Sequence, residues 1–447
     1  MIKFTKLFIT FLLALTAFRV SAQSTASSST TSSPYSQFGI GNLDQLALPQ
    51  TIGMGGLGAA INNFSGYYNL NPVNPASYGS LRLTVIDIGI YGSSTTLSQT
   101  GQPSQTNGNF RINHVAFAFP VTKKSALSFG LQPYSEMGYS YTTTKKNFGT
   151  GSLTDTNAVN NLYSGQGDLS KAYIGYGFGI GKHLLLGANA SYIFGNLHQY
   201  ASTEIPSLYG AIDSRVEDSY AIRGASYDVG AQYTIDFSDS KHLILGYSGT
   251  LSSNINSQHT NIVSQYTYDD SGNENPASDT LTETKDPKAK LHLPYVGRYG
   301  LTFVSDNKFL IGAEYSQGNY SQLVVPGVSG QVYQNSKTYN LGGQFTPDAN
   351  ALSNYWATID YRLGVIYNQS YVDVQTGNSN TNITDKAITI GLGLPLRPNT
   401  GSFYKINFAA EIGTRGTEAN GLVKENYVDF HLSFSLNDRW FTKYKLD

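Results

Sequence analysis

Two constellations in this sequence have the residue types of a chemical site. Gly53-Met54-Gly55-Gly56-Leu57-Gly58 matches G-x-G-x-x-G, the loop that cradles a dinucleotide pyrophosphate. Asp429, His431 and Ser433 alternate along one segment and carry the groups of a nucleophilic hydrolase. Neither has the surroundings its chemistry needs. The glycines should come after a buried strand and open a helix, but Pro72 and Pro75 would break that helix, and the next acid, Asp87, lies too far on. Asp429, His431 and Ser433 would stand about 7 Å apart along a strand, beyond relay distance without partners from neighbours. His183 and His242 follow lysines in short turns, and His114 lies on a strand; His198, His259 and His292 complete the set. The stretch "YDDSGNENPASDTLTETKD" is acidic but lacks calcium-loop spacing, so it reads as a solvated loop. No catalytic residue, metal site or cofactor is expected, and the chain reads as no enzyme.

What elements, then, does the chain build? Met1 to Ala22 has a basic start, an apolar stretch and a small-residue exit, a secretory signal peptide. No cysteine follows it for lipid attachment, and none occurs anywhere in the chain. Charged residues are only 13%, while Tyr (33) and Gly (46) are abundant. A net charge of −1 gives no electrostatic grip on nucleic acid. Past the signal no stretch approaches the roughly 20 apolar residues of a membrane helix. Together these features predict a transmembrane β-barrel.

Alternation supports that prediction. In "YWATIDYRLGVIY", Tyr355, Ala357, Ile359, Tyr361, Leu363, Val365 and Tyr367 form an apolar face with tyrosines at both ends, opposite Asp360 and Arg362. The segments "YVDFHLSFSL", "AITIGLGLPL" and "YKINFAAEI" repeat the scheme. The pattern gives about fourteen strands, near 81–97, 109–120, 125–145, 165–181, 183–203, 217–237, 241–260, 291–305, 308–320, 335–346, 355–369, 384–396, 402–415 and 426–437. Short links such as "VTKK", "GK", "SDS", "SDN" and "RPNTG" alternate with long polar ones, the largest being Asn261 to Lys290. That asymmetry predicts short periplasmic turns and longer outer loops, an all-β antiparallel barrel in the outer membrane of a Gram-negative bacterium.

A barrel of this size leaks unless its lumen is occupied. Residues 23–79 are expected to form a periplasmic lead and a luminal plug, 80–437 the barrel, and 438–447 a C-terminal tail. In the plug, Gly53, Gly55, Gly56 and Gly58 allow tight backbone turns against the inner wall. The inner-face polar residues Asp87, Asp228, Arg298, Glu314, Asp360, Arg362, Lys405 and Glu411 would either knit plug to wall or steer a carboxylate-bearing ligand.

The stretch "GMGGLGAAINN…NLNPVNPAS", with Asn74-Pro75-Ala76, the strand count and "LHLPYVGRYGLTF" together resemble the FadL/TodX-type outer-membrane transporters of long-chain fatty acids and other hydrophobic compounds. The resemblance implies a 14-stranded barrel with an N-terminal hatch and a sideways exit at an inward kink of the third strand. Here that strand, "ALSFGLQPYSEMGYSYTTT", contains Pro133, which removes a ladder donor, and Gly138. Pro133 either sits in a bulge near the periplasmic rim or opens a gate lined by Gln132, Tyr134 and Met137. The tail from Arg439 to Asp447 departs from the family's aromatic strand end and could dock a partner.

The expected function is passive uptake of hydrophobic or amphiphilic small molecules such as long-chain fatty acids. The alternative is a non-transporting structural or accessory barrel of an outer-membrane assembly or secretion complex. Expected partners are outer-membrane lipid and lipopolysaccharide, a hydrophobic ligand and an envelope protein, with no nucleic acid.

Overall fold

A computed structural model describes residues 33–63, 67–148, 157–208, 210–269, 274–328, 333–376, 379–396 and 402–440. The signal peptide, most of the expected lead and tail, and the "RPNTG" link lie outside them. No helix among the described residues is long and apolar enough to cross a membrane. The chain instead closes an antiparallel barrel of fourteen wall strands.

In chain order these are β1 (Thr84–Ser98), β2 (Gln105–Thr122), β3 (Ser125–Lys146), β4 (Ala158–Ile180), β5 (Leu184–Glu204) and β6 (Asp213–Ser238). β7 runs in two pieces, Lys241–Thr250 and Ser253–Tyr266, and β8 in three, Asp279–Asp286, Lys290–Leu293 and Val296–Ser305. Then come β9 (Phe309–Gly318), β10 (Ser336–Phe345), β11 (Asp360–Thr376), β12 (Ser379–Leu396), β13 (Phe403–Gly416) and β14 (Lys424–Asp438). Each strand pairs with the next, and β14 closes on β1 from Lys424↔Ser98 to Asp438↔Thr84.

Two expectations need correction. Tyr355–Thr358 is a 3-10 turn capped by the Asn354 side chain, so β11 starts only at Asp360. The Asn side chain accepting from Trp356 N offers the backbone a local bond in place of the ladder. The expected long link from Asn261 to Lys290 is largely strand, because the outer parts of β7 and β8 pair with each other beyond the barrel body.

The two faces sort as alternation demands. On β11, Tyr361, Leu363 and Val365 are exposed while Asp360 and Arg362 are buried. On β14, Phe430, Leu432 and Phe434 face out while His431, Ser433 and Ser435 face in. An outer surface of this kind is stable only in lipid, and the barrel is an outer-membrane protein. Tyr247, Tyr299, Tyr315, Tyr339 and Tyr367 are direct cross-strand partners from β7 to β11, a tyrosine girdle across five of the fourteen wall strands. Lys386 extends it, its ammonium 5.7 Å from the Tyr367 ring.

Candidate functional site in the barrel lumen

The residues that precede β1 lie against the inner side of the wall. Ser33 starts high in the barrel, where its N–H bonds the Gly138 carbonyl of β3 (3.0 Å) and its hydroxyl bonds Glu425 of β14 (2.5 Å). Asn42 and Leu43 then pair with Glu136 and Ser135 of β3. A short helix, Pro49–Ile52, leads into the glycine stretch, and a 3-10 segment, Pro75–Ser80, leads out to β1.

The G-x-G-x-x-G glycines are needed for shape. Gly55 and Gly56 turn through left-handed backbone, φ +75° and +74°. Some polar groups of this turn bond within the inner segment, as Met54 N and Gly56 N do to Thr51 O, and others reach the wall. Gly55 N donates to Thr389 Oγ1 (2.9 Å), and Gly55 O accepts from Asn340 Nδ2 (2.5 Å). Gly58 N and Ala59 N both donate to Glu314 Oε2, at 2.8 and 2.7 Å. Ala59 O accepts from Gln232 (3.0 Å) and from Asn74 (2.5 Å). Asn74 also accepts from Ala76 N (3.0 Å) and donates to the Tyr247 carbonyl (3.1 Å), which fixes the Asn-Pro-Ala corner against β7.

The wall answers these glycines with its own. Gly177, Gly187, Gly230, Gly246, Gly300, Gly312, Gly342, Gly364 and Gly391 fall one per strand from β4 to β12. Several are direct partners, as in Gly177↔Gly187↔Gly230 and Gly312↔Gly342↔Gly364. A Cβ on Gly364 would lie 2.2 Å from Gly55 N, one on Gly342 2.2 Å from Met54 O, and one on Gly246 2.0 Å from Ala59 O. Along this ribbon the inner backbone lies directly on the wall backbone at seven of the nine glycines, and at Gly230 and Gly312 the side chains of Asn74 and Leu57 fill the space. Sequence reading did not single out these wall glycines; their inward register on successive strands was the signal.

Of the expected polar residues, Asp360, Arg362, Lys405 and Asp87 join one buried network. Asp360 Oδ2 takes Lys405 Nζ at 2.7 Å and Arg362 Nη2 at 2.9 Å, while Thr346 donates to Oδ1 at 2.8 Å. Arg362 donates on to Asn407 (2.9 Å), Asn407 to Ser435 (3.0 Å), and Ser435 to Asp87, whose other oxygen meets His114 at 2.6 Å. Asp228 belongs to a separate cluster with Lys171 (2.8 Å) and Thr250 (2.8 Å). Glu411 bonds Tyr427 (3.0 Å) and Gln45 of the inner segment (3.2 Å). Arg298 and Glu314 share the lining of one cavity.

The sequence reading missed a third group. Arg111 of β2 reaches Asp44 of the inner segment (2.6 Å) and Glu136 of β3, and Arg415 pairs with Asp385 (3.0 Å) and Glu425 (3.5 Å). Burial pushes the Asp44 carboxyl above its ordinary range, and Arg111 pulls it back. This group lines a cavity of about 170 Å³, next to one of about 220 Å³ that holds Arg298 and Glu314. An apolar cluster adjoins them, and Tyr320, Tyr371, Val372 and Ile383 of it line the larger cavity. Met137, Leu169, Ile193 and Leu197 of the wall meet Tyr320, Leu323 and Val325 of the β9–β10 loop, which folds inward.

The expected gate residues sit together on β3. The strand bulges between Pro133 and Ser135, and β2–β3 pairing ends at Val115↔Leu131. Gln132 and Met137 are buried, Tyr134 O accepts from Asp44 N (3.0 Å), and Gly138 N donates to Ser36 (3.0 Å). The wall parts here, and the inner segment lies in the parting.

The hydrolase-like residues do not assemble. His431 packs against the Tyr91 ring, 5.0 Å between centroids, with Nδ1 unbonded among the described residues. Where a histidine does meet a serine, His198 with Ser219 at 2.9 Å, the acid Glu217 bonds the serine instead of orienting the imidazole.

Solved structures share this architecture. The CymD monoaromatic hydrocarbon channel matches with a TM-score of 0.57 at 11% identity, covering 89% of this chain and 99% of that one. A Pseudomonas aeruginosa FadL homologue matches at 0.57 and 12%, covering 90% and 100%. The Ralstonia pickettii toluene transporter TbuX matches at 0.54 and 14%, covering 89% and 100%. These are the FadL/TodX-type folds that the sequence resembled, and at such identities the likeness is one of fold. No curated protein matches the sequence. A family model described as BamG matches residues 1–447.

Proposed function

Because the chain belongs to the BamG family and is built on the hydrophobic-compound channel fold, we propose that it uses that fold as a closed barrel, an accessory subunit of an outer-membrane assembly complex. The observation that carries this reading is the glycine ribbon. Inner backbone meets wall backbone at seven of these nine glycines, and inner side chains, Asn74 and Leu57, meet Gly230 and Gly312, a contact that sliding or swinging of the inner segment would break throughout. The chain's own aromatic and aliphatic side chains cluster in the lumen, and both remaining cavities are small and carry carboxylates and arginines, although the larger also shows Val73, Val296, Ile366 and Val372. An alkyl chain gains about 0.8 kcal/mol per buried CH₂ only where apolar surface is free to receive it.

A second reading has its own observation. The parting of β2 from β3 beside Gln132, Pro133, Tyr134 and Met137 suits lateral exit of a hydrophobic or amphiphilic molecule, such as a long-chain fatty acid, once the inner segment shifts. Mild detergent extraction and affinity purification separate the two. A stoichiometric envelope partner, with hydrocarbon and fatty-acid uptake unchanged on deletion of the protein, supports the subunit. Loss of uptake with no partner retained supports the channel.

A further inference from the structure

The parting in the wall has two lips, and only one is finished. On β3 the lip from Tyr134 to Gly138 is bonded by the inner segment, through Asn42↔Glu136, Leu43↔Ser135, Asp44 N to Tyr134 O and Ser33 N to Gly138 O. On β2 the lip from Gln105 to Asn113 is paired with β1 on one side, as in Phe110↔Gly92 and Arg111↔Tyr91. Among the described residues no strand lies along its other side. The register breaks between Gly89 and Ile90, where β2 carries one extra residue, Asn113, and such a bulge bends a strand out of the sheet.

Side chains along this bare lip alternate by face. Phe110 and Ile112 point outward and are 71% and 70% exposed, more than any other large apolar residue of the wall strands. Asn109 and Arg111 face the lumen and line the smaller cavity, Arg111 already held by Asp44 and Glu136. A free strand edge carries N–H and C=O groups that lipid cannot satisfy. Acyl chains cover Phe110 and Ile112 but leave the edge unbonded. Another extended backbone satisfies both needs at once.

We propose that the β2 edge from Gln105 to Asn113 receives an extended segment of a partner envelope protein, which adds a strand to the wall. This rests on the subunit reading above and names its docking surface. The segment carries apolar side chains at alternate positions, beside Phe110 and Ile112 on the lipid side. Its other side chains, over Asn109 and Arg111, are small and polar, because the space inward of them is enclosed.

Photo-crosslinking amino acids at Thr106, Gly108, Phe110 and Ile112, in cells, test this directly, with Leu341 and Ile390 on the far wall as controls. Expected is a single partner peptide whose crosslinked residue steps by two as the label steps by two. Lipid adducts alone, adducts scattered over several proteins, or no excess over the controls overturn the proposal. Gly108→Pro and Asn109→Pro add a second readout, since adjacent N–H groups point to opposite sides of a strand. One faces β1 and the other the gap. One of the two variants should cut partner recovery at least tenfold while the barrel stays folded by heat-shifted gel mobility; full recovery with both, in folded barrels, overturns the edge. A stoichiometric partner crosslinked only elsewhere leaves the subunit reading standing, whereas absence of any partner defeats that reading itself.

Discussion

Replacing Gly364 by alanine tests whether the inner segment is what closes the lumen. The new methyl would lie 2.2 Å from Gly55 N and 2.4 Å from the Met54 carbonyl carbon, where ordinary contact begins at 3.4 Å. Both obstacles are backbone, so no side chain can swing aside. β11 is held on each flank by ladders to β10 and β12, while the inner turn is held at this point by Thr389 and Asn340. The turn therefore yields first. Overpacking costs about 1–3 kcal/mol, and losing two hydrogen bonds adds about 1 kcal/mol each, giving a local cost of about 3–5 kcal/mol. Glu314 and Gln232 still grip Gly58 to Ile61, so the segment loosens without leaving. In planar bilayers the variant should show flickering conductance, below that of a deletion from Pro34 to Gly79. Limited proteolysis should cut the loosened turn. Gly92→Ala, whose methyl would meet nothing nearer than 3.6 Å, is the control. If Gly364→Ala is silent and as protease-resistant as the control, the wall has slack and the account of closure fails.

Asp360→Ala should cost about 3–5 kcal/mol, because Arg362 and Lys405 are left buried without their shared carboxylate. Urea unfolding in detergent reads this out, and an unchanged midpoint contradicts it. Pro133→Ala should restore a ladder donor beside the Tyr134 bulge and reduce uptake if the wall parting is an exit; normal folding with unchanged uptake counts against the channel reading.

The barrel could be read from the chain because its rule is local. Leu363 and Val365 face lipid and Asp360 and Arg362 face inward on period two alone, and neighbouring strands repeat it. What local patterning could not supply was contact between distant segments. That Asp360 and Arg362 share a face follows from their spacing; that Lys405 completes the pair depends on β13 lying two strands away. Arg111 and Arg415 were passed over because their carboxylate partners, Asp44, Glu136, Asp385 and Glu425, are scattered through the sequence. The split in β7 escaped for the opposite reason: Leu251 and Ser252 interrupt a run whose two halves alternate alike. Gly53 to Gly58 drew notice for a motif, yet the need for Gly53 and Gly55 is set by Gly391 and by the Leu341 and Val365 backbone, about 300 positions on, while that for Gly58 is set by Val73.

The apposed glycines also constrain how the molecule is made. A finished cylinder leaves no clearance along that seam for a peptide to be slipped in afterwards, since any side chain it carried past the bare backbone would jam. The leading peptide emerges before every strand that grips it. Such a peptide suits the part of a mandrel on which the cylinder is rolled, the β14–β1 seam being the last to zip in that order of assembly.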